Sequence, residues 1–243
     1  MLIINGGVPR SGTVLVGNLI RLMLERRGIS WMRYNPQERR HLPEFLRVVK
    51  AGVLRKALIV HTHLIDEPIL QALEAREDAV LLWNHRDPRD ALVSLMKLHD
   101  LQISHAVMAM KVYFEAAELA TASESCLELR YSDLTNDLTG QIERVADKLA
   151  VQSEPDEMTD LVAATSLEAH GKIVSDLNAN NIPDAVSHQT RHRDMREDPR
   201  TLLNDRHIQS GRTGRWRDEL TLSEQQQVQS ELDKWIERFG YEQ

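Results

Sequence analysis

One cysteine, Cys126, excludes a disulfide within the 243-residue chain and permits a reducing compartment. Positive charge is also in short supply, with 30 Lys and Arg against 37 Asp and Glu and a formal net charge of -7. That balance gives no support to nucleic acid or an anionic membrane as a general partner. No uninterrupted apolar run approaches the ~20 residues of a membrane-spanning helix. Nor do the first residues, Met1 to Thr13, form a charged leader followed by an apolar stretch and a cleavage site. These absences lead to the expectation of a soluble, cytoplasmic protein. No internal repeat and no linker divides the chain, so one domain is expected over residues 1–243.

Apolar sequence is present in short pieces. Leu2 to Asn5, Ala57 to Val60, Ala79 to Trp83 and Cys126 to Arg130 are runs of a few residues with helical patterns between them. Such spacing predicts an α/β fold with a central parallel sheet flanked by helices on both faces. Cys126 then reads as a strand residue rather than a nucleophile. Thr13 to Arg27 carries a stripe of Val16, Leu19, Ile20, Met23 and Leu24, with Gly28 as its stop. Pro88 to Lys97 starts with Asp87 as N-cap and Pro88 at the first helical position, and Asp90 favours the positive helix end. Gln102 to Ala120 reads as a further helix. Near the C-terminus, Ser223 and Gln226 predict a capping box for a helix carrying Val228, Leu232, Trp235, Ile236 and Phe239, ended by Gly240. Residues 178–214 are polar and lack apolar periodicity, which predicts a lid or substrate loop.

The chemistry-bearing segment lies between the first strand and the first helix. Gly7 and Gly12 have the spacing of a phosphate-binding Walker loop, yet Thr13 stands where its lysine belongs. Arg10 is the cation inside this loop. Together with the Ser11 and Thr13 hydroxyls and the backbone amides, it predicts a cradle for a single phosphate. A second anion signal is Arg86 at a strand's end, followed by Asp87-Pro88 and, eight positions on, by Ser94. Ligands of open α/β sheets bind at such strand ends.

These two segments resemble the PAPS-dependent sulfotransferase family, and a P-loop-like fold is what the resemblance implies. Pro9-Arg10-Ser11-Gly12-Thr13 is similar to the family's 5′-phosphosulfate loop, and Arg86 with Ser94 to its 3′-phosphate motif. Further matches follow in chain order: Thr62-His63-Leu64 with the strand end carrying the family's histidine base, and Tyr131-Ser132-Asp133 with an adenine-side segment. Thr165-Ser166-Leu167 resembles a cofactor contact, and Gly211-Arg212-Thr213-Gly214-Arg215-Trp216 the C-terminal Gly-x-x-Gly-x-Trp element.

The resemblance implies transfer of a sulfonate from PAPS to a hydroxyl or amine of a small-molecule acceptor, with PAP as product. His63 would be the base and Arg10 would stabilise the leaving group, with fixed protein donors rather than a metal neutralising it. Cofactor contacts would come from Pro9, Arg10, Ser11, Gly12, Thr13, Val14, Arg86, Ser94, Tyr131, Ser166, Gly211 and Arg212. His61, two residues from His63 on an extended chain, points to the same side and is a reserve base.

The sequence also departs from the family pattern. Gln209-Ser210 replaces an Arg-Lys pair, so Arg212 or Arg206 would have to supply the cations. Leu15 and Leu167 stand where aromatics sandwich adenine, and His61 replaces a lysine. A P-loop kinase is opposed by the absent lysine, while a non-catalytic PAP-binding module would have no use for His63. His188 and His192 have i, i+4 spacing with His207 beyond, but no cysteine or suitably spaced carboxylate completes a zinc site. The Arg191, Arg193, Arg196 and Arg200 series, mixed with Asp194, Glu197 and Asp198, reads as an exposed mixed-charge surface or the entrance for an anionic acceptor. The acceptor walls are expected near Trp31 to Phe45, the helix carrying His99 and His105, and the 178–214 loop.

Overall fold

The computed structural model describes residues 1–36, 38–51, 56–151, 154–189, 194–207 and 211–241. From the N-terminus, β1 (Leu2–Gly7) leads through a tight loop to α1 (Thr13–Arg26), β2 (Trp31–Tyr34), α2 (Leu42–Lys50) and β3 (Ala57–Thr62). The chain continues through α3 (Glu67–Glu74), β4 (Ala79–His85), α4 (Pro88–His99), α5 (Ile103–Ala122) and β5 (Cys126–Arg130). Beyond the sheet come α6 (Tyr131–Asn136), α7 (Leu138–Lys148), α8 (Pro155–Thr165) and α9 (Leu167–Asn178). A hairpin of β6 (Val186–Gln189) and β7 (Asp194–Glu197) precedes α10 (Trp216–Glu219) and α11 (Leu222–Arg238).

The five-stranded sheet has the order β2-β3-β1-β4-β5, and every pairing is parallel. Both faces are covered, which is why its strands read as unbroken apolar runs. Leu2 and Ile4 of β1 join a core with Phe45, Ile69, Leu92, Phe114 and Trp235. Ile3, facing the other way, packs with Val16, Leu19, Ile20, Ile142 and Val145. At Gly6 the backbone lies so close to the buried Trp83 ring that a Cβ would stand 2.2 Å from it.

This strand order positions the site. The chain runs from β1 out to β2 and β3, then returns to β4 on the opposite side of β1. The reversal opens a crevice at the C-terminal end of β1, where such sheets bind ligands. The loop after β1, the residues after β3 and those after β4 all emerge there.

All four expected strands are present, three of them longer at their C-terminal ends than the apolar runs. The extensions are Gly6 and Gly7, His61 and Thr62, and Asn84 and His85. β2 was not foreseen because it is an edge strand with partly buried and exposed residues and no clean pattern. The expected 178–214 loop contains the β6–β7 hairpin. The C-terminal capping box lies two residues earlier than expected: Thr221 and Glu224 bond reciprocally, rather than Ser223 and Gln226. Asp87 does cap α4, and Gly240 sits at φ 65° just after α11. No helix among the described residues is long and apolar enough to cross a membrane.

Candidate active site

The loop from Val8 to Gly12 turns through two left-handed residues, Arg10 at φ 70° and Gly12 at φ 90°. Arg10 is strained by this, since only glycine enters that region without steric penalty. The turn is braced from below. The Ser11 hydroxyl donates to the carbonyls of Val8 (2.5 Å) and Asn84 (3.1 Å), so it faces inward, away from the crevice. Asn5 donates to the Thr13 carbonyl at 2.9 Å, while Asn84 donates to Asn5 Oδ1 and to the Gly6 carbonyl. With Gly12 as N-cap, no side chain caps α1, leaving its first amides available to an anion.

Arg10 reaches across the crevice. Its Nε donates to Ser94 Oγ at 2.9 Å, and Nη2 donates to the Arg206 and His207 carbonyls. Ser94, expected to meet the same phosphate as Arg86, is thus the partner of Arg10. Burial, with the nearby charges of Arg86 and Arg215, pushes Arg10 down to about 10, so it stays protonated at neutral pH. Cations gathered in a buried crevice are stabilised by an anionic ligand.

Arg86 leaves β4 with its guanidinium 4.3 Å from the Tyr131 ring centroid. Its Nη2 donates to the Arg212 carbonyl at 2.6 Å and lies 3.5 Å from Asp90 Oδ2, while its Nε is buried without a hydrogen-bond partner. A buried unpaired donor of this kind fits a phosphate oxygen. Asp90 does more than favour the start of α4. Its carboxylate accepts from the backbone amides of Gly214 (2.7 Å) and Trp216 (3.2 Å), fastening the 211–216 turn to α4. Tyr131 completes the bracket by donating to the Gly211 carbonyl at 3.3 Å.

His63 stands at the end of β3. Its Nδ1 donates to the Gly7 carbonyl at 2.7 Å, which fixes the tautomer and leaves the Nε2 lone pair as the free acceptor. Burial and the Arg10 charge lower its pKa against the opposing pull of that bond, so the ring is neutral near pH 7. His61 stands edge-on to it, with ring centroids 5.5 Å apart, and the Tyr113 ring is 6.0 Å away.

These groups surround one cavity of about 580 Å³. Every residue expected to bind lines it except Ser11, Ser166 and Arg212. Ser166 instead caps α9, and the Arg212 side chain pairs with Asp218 at the surface. The residue missed is Arg215, which does line the cavity; its position just before Trp216 in the glycine-bounded element was the available clue. Arg206 contributes a carbonyl rather than its charge. Asn35, His99, Met195, Glu197 and His207 line the cavity from regions expected to form acceptor walls. No single helix carries both expected histidines, however: His99 ends α4, while His105 lies on α5 and outside the cavity lining. Gln209, Ser210, Arg191, His192 and Arg193 lie outside the described residues. Cys126 lies in β5, with its thiol pushed up to about 12, mainly by burial.

The fold is similar to that of a mouse sulfotransferase complexed with PAP, with a TM-score of 0.66 and 12% identity, covering 97% of this chain and 83% of that one. It is also similar to a retinol dehydratase in complex with androsterone and inactive cofactor PAP, with a TM-score of 0.64 and 17% identity, covering 97% and 80%. At the level of sequence, no curated protein matches the chain. A family model described as Sulfotransferase domain matches residues 2–240. The chain therefore belongs to the sulfotransferase domain family and is an enzyme of sulfonate transfer.

Proposed function

We propose that this enzyme uses PAPS as donor and sulfonates a hydroxyl or amine of a small-molecule acceptor, with His63 as the general base. The observation that carries this reading is the His63 tautomer: a neutral imidazole whose free Nε2 shares one cavity with Arg10 and the α1 amides. When bound, PAPS supplies a sulfonate whose S–O bond to the 5′-phosphate breaks as the acceptor's bond to sulfur forms.

His63 Nε2 takes the acceptor proton, a contribution of ~10²–10⁴-fold for a well-placed base. Arg10 and the loop amides face the charge that develops on the leaving phosphate, where stabilisation accelerates the reaction rather than merely tightening binding. The unpaired Nε of Arg86, with Arg215 nearby, supports recognition of the 3′-phosphate. The β6–β7 hairpin contributes Met195 and Glu197 to the cavity wall and serves as part of a lid.

Thermal unfolding with PAP, ADP and ATP tests the donor assignment. PAP at ~100 times its dissociation constant should stabilise the fold by roughly 2.7 kcal/mol. Stabilisation by ATP but not by PAP would overturn the assignment in favour of a kinase-like enzyme.

A further inference from the structure

Three histidines of the cavity have tautomers fixed by their surroundings. His63 donates through Nδ1 to the Gly7 carbonyl, so its Nε2 accepts. His207 Nδ1 accepts from the Asn204 backbone amide at 2.9 Å, so its Nε2 carries the proton. For His61, the Asn5 amide decides. Asn5 Nδ2 donates to the Thr13 carbonyl and Asn5 Oδ1 accepts from Asn84, leaving Nδ2 as the group 3.5 Å from His61 Nδ1. His61 Nδ1 therefore accepts, and its Nε2 is a donor.

All three rings are held neutral. Burial lowers His61 well below its ordinary value, with His63 and Arg33 adding to the effect. Burial and the Arg10 charge bring His207 to about 3. The cavity is thus lined by His63, whose Nε2 accepts, and by His61 and His207, whose Nε2 atoms carry protons.

This array is complementary to a particular arrangement of oxygens. The reacting hydroxyl donates to His63. The two N–H groups need acceptor oxygens close to that hydroxyl, because a buried donor left unpaired by the substrate is destabilising by about 1–3 kcal/mol. An otherwise apolar alcohol satisfies His63 and leaves both donors bare. We propose that the acceptor is a compact polyol of sugar-like character, carrying at least one further oxygen vicinal to the hydroxyl that is sulfonated. The proposal rests on His63 being the base of the reading above, and it adds His61 and His207 as specificity-determining residues.

The test uses the enzyme saturated with PAP and three probes: cyclohexanol, cis-1,2-cyclohexanediol and a methyl glucoside. Calorimetry should show the diol and the glucoside binding about tenfold or more tighter than cyclohexanol. With PAPS, kcat/KM should follow the same order. Simple apolar partitioning predicts the reverse order, since the diol is the more polar molecule. His207→Phe should narrow the gap between diol and cyclohexanol, and His61→Leu provides a second variant should the first fail to fold. Equal affinities, a preference for cyclohexanol, or no measurable binding of any probe overturns the proposal. PAP stabilisation read on the same samples separates the two layers. Loss of PAP binding defeats the donor assignment, whereas intact PAP binding with no diol preference defeats only the acceptor assignment.

Discussion

In the proposed mechanism His63 and Arg10 carry different parts of the chemistry, and single substitutions should separate them. His63→Ala should lower kcat by ~10²–10⁴-fold while leaving PAP affinity nearly unchanged, as single-turnover kinetics beside calorimetry would show. The pH profile follows from the direction of the His63 shift. Its folded pKa is lowered by burial, so the ring stays unprotonated below 6.5 and the acid limb of kcat/KM should fall at a pH below that value. An acid limb above 6.5 would mean that another group is the base. Much at this scale was legible in the sequence, because Arg10, Arg86 and His63 sit in fixed relation to strand ends. Arg215 and the inward-facing Ser11 were not. Adjacent residues of a tight turn point in different directions, and which of Arg212 and Arg215 faces the cavity is set by backbone geometry: Gly211 is at φ 67° and Gly214 at φ 76°.

Among the elements, α4 organises the site. Asp87 caps it, Ser94 on its cavity face holds Arg10, and Asp90 fastens the 211–216 turn while lying beside Arg86. Asp90→Asn keeps the size of the side chain but sets an amide donor against backbone donors and removes the charge facing Arg86. Hydrogen bonds to charged groups contribute about 1.5–3 kcal/mol, so PAP affinity should fall by about tenfold or more. Turnover at saturating donor should change little, and the preference for PAP over ADP should shrink. A merely structural role for Asp90 would lower stability without altering that preference. β1, α1 and α4 were visible in the sequence, whereas the amphipathic helices α2, α3 and α7 were not singled out. β2 and the β6–β7 hairpin escaped because short, half-exposed strands have too few buried positions to impose alternation. The capping box was misplaced by two residues because Thr221/Glu224 and Ser223/Gln226 offer the same i, i+3 chemistry, and only the geometry of Leu220 to Leu222 selects between them.

At the level of the molecule, the cavity sets the response to acid. His61, His170 and His207 are kept neutral chiefly by burial, His170 being lowered to about 4 and His207 to about 3. In the unfolded chain each titrates near 6.5. Below that pH the unfolded state binds more protons, so stability is intact above about 6.5 and declines as the pH falls towards 4. Each such imidazole contributes a slope of about 1.4 kcal/mol per pH unit. Denaturant midpoints measured from pH 7.5 to pH 4.5 should therefore drop more steeply than those of a His170→Gln, His207→Gln variant. Unchanged steepness in that variant would assign the acid sensitivity to other groups.

The two anchors of the distal turn also govern when the enzyme comes into being. A ribosome delivers the Pro9–Thr13 loop and His63 early, but the carbonyls that hold Arg10 belong to residues 206 and 207, and the amides that hold Asp90 belong to residues 214 and 216. One face of the sheet also waits, because the core that Leu2 and Ile4 join includes Trp235 of α11. The contacts that hold Arg10 and Asp90 have to wait for the turn to emerge and dock. A chain released before Trp216 carries His63 and the Pro9–Thr13 loop yet lacks the Trp216 amide that donates to Asp90. Such a truncated chain should accordingly gain no stability from PAP, as thermal unfolding with and without the ligand would show.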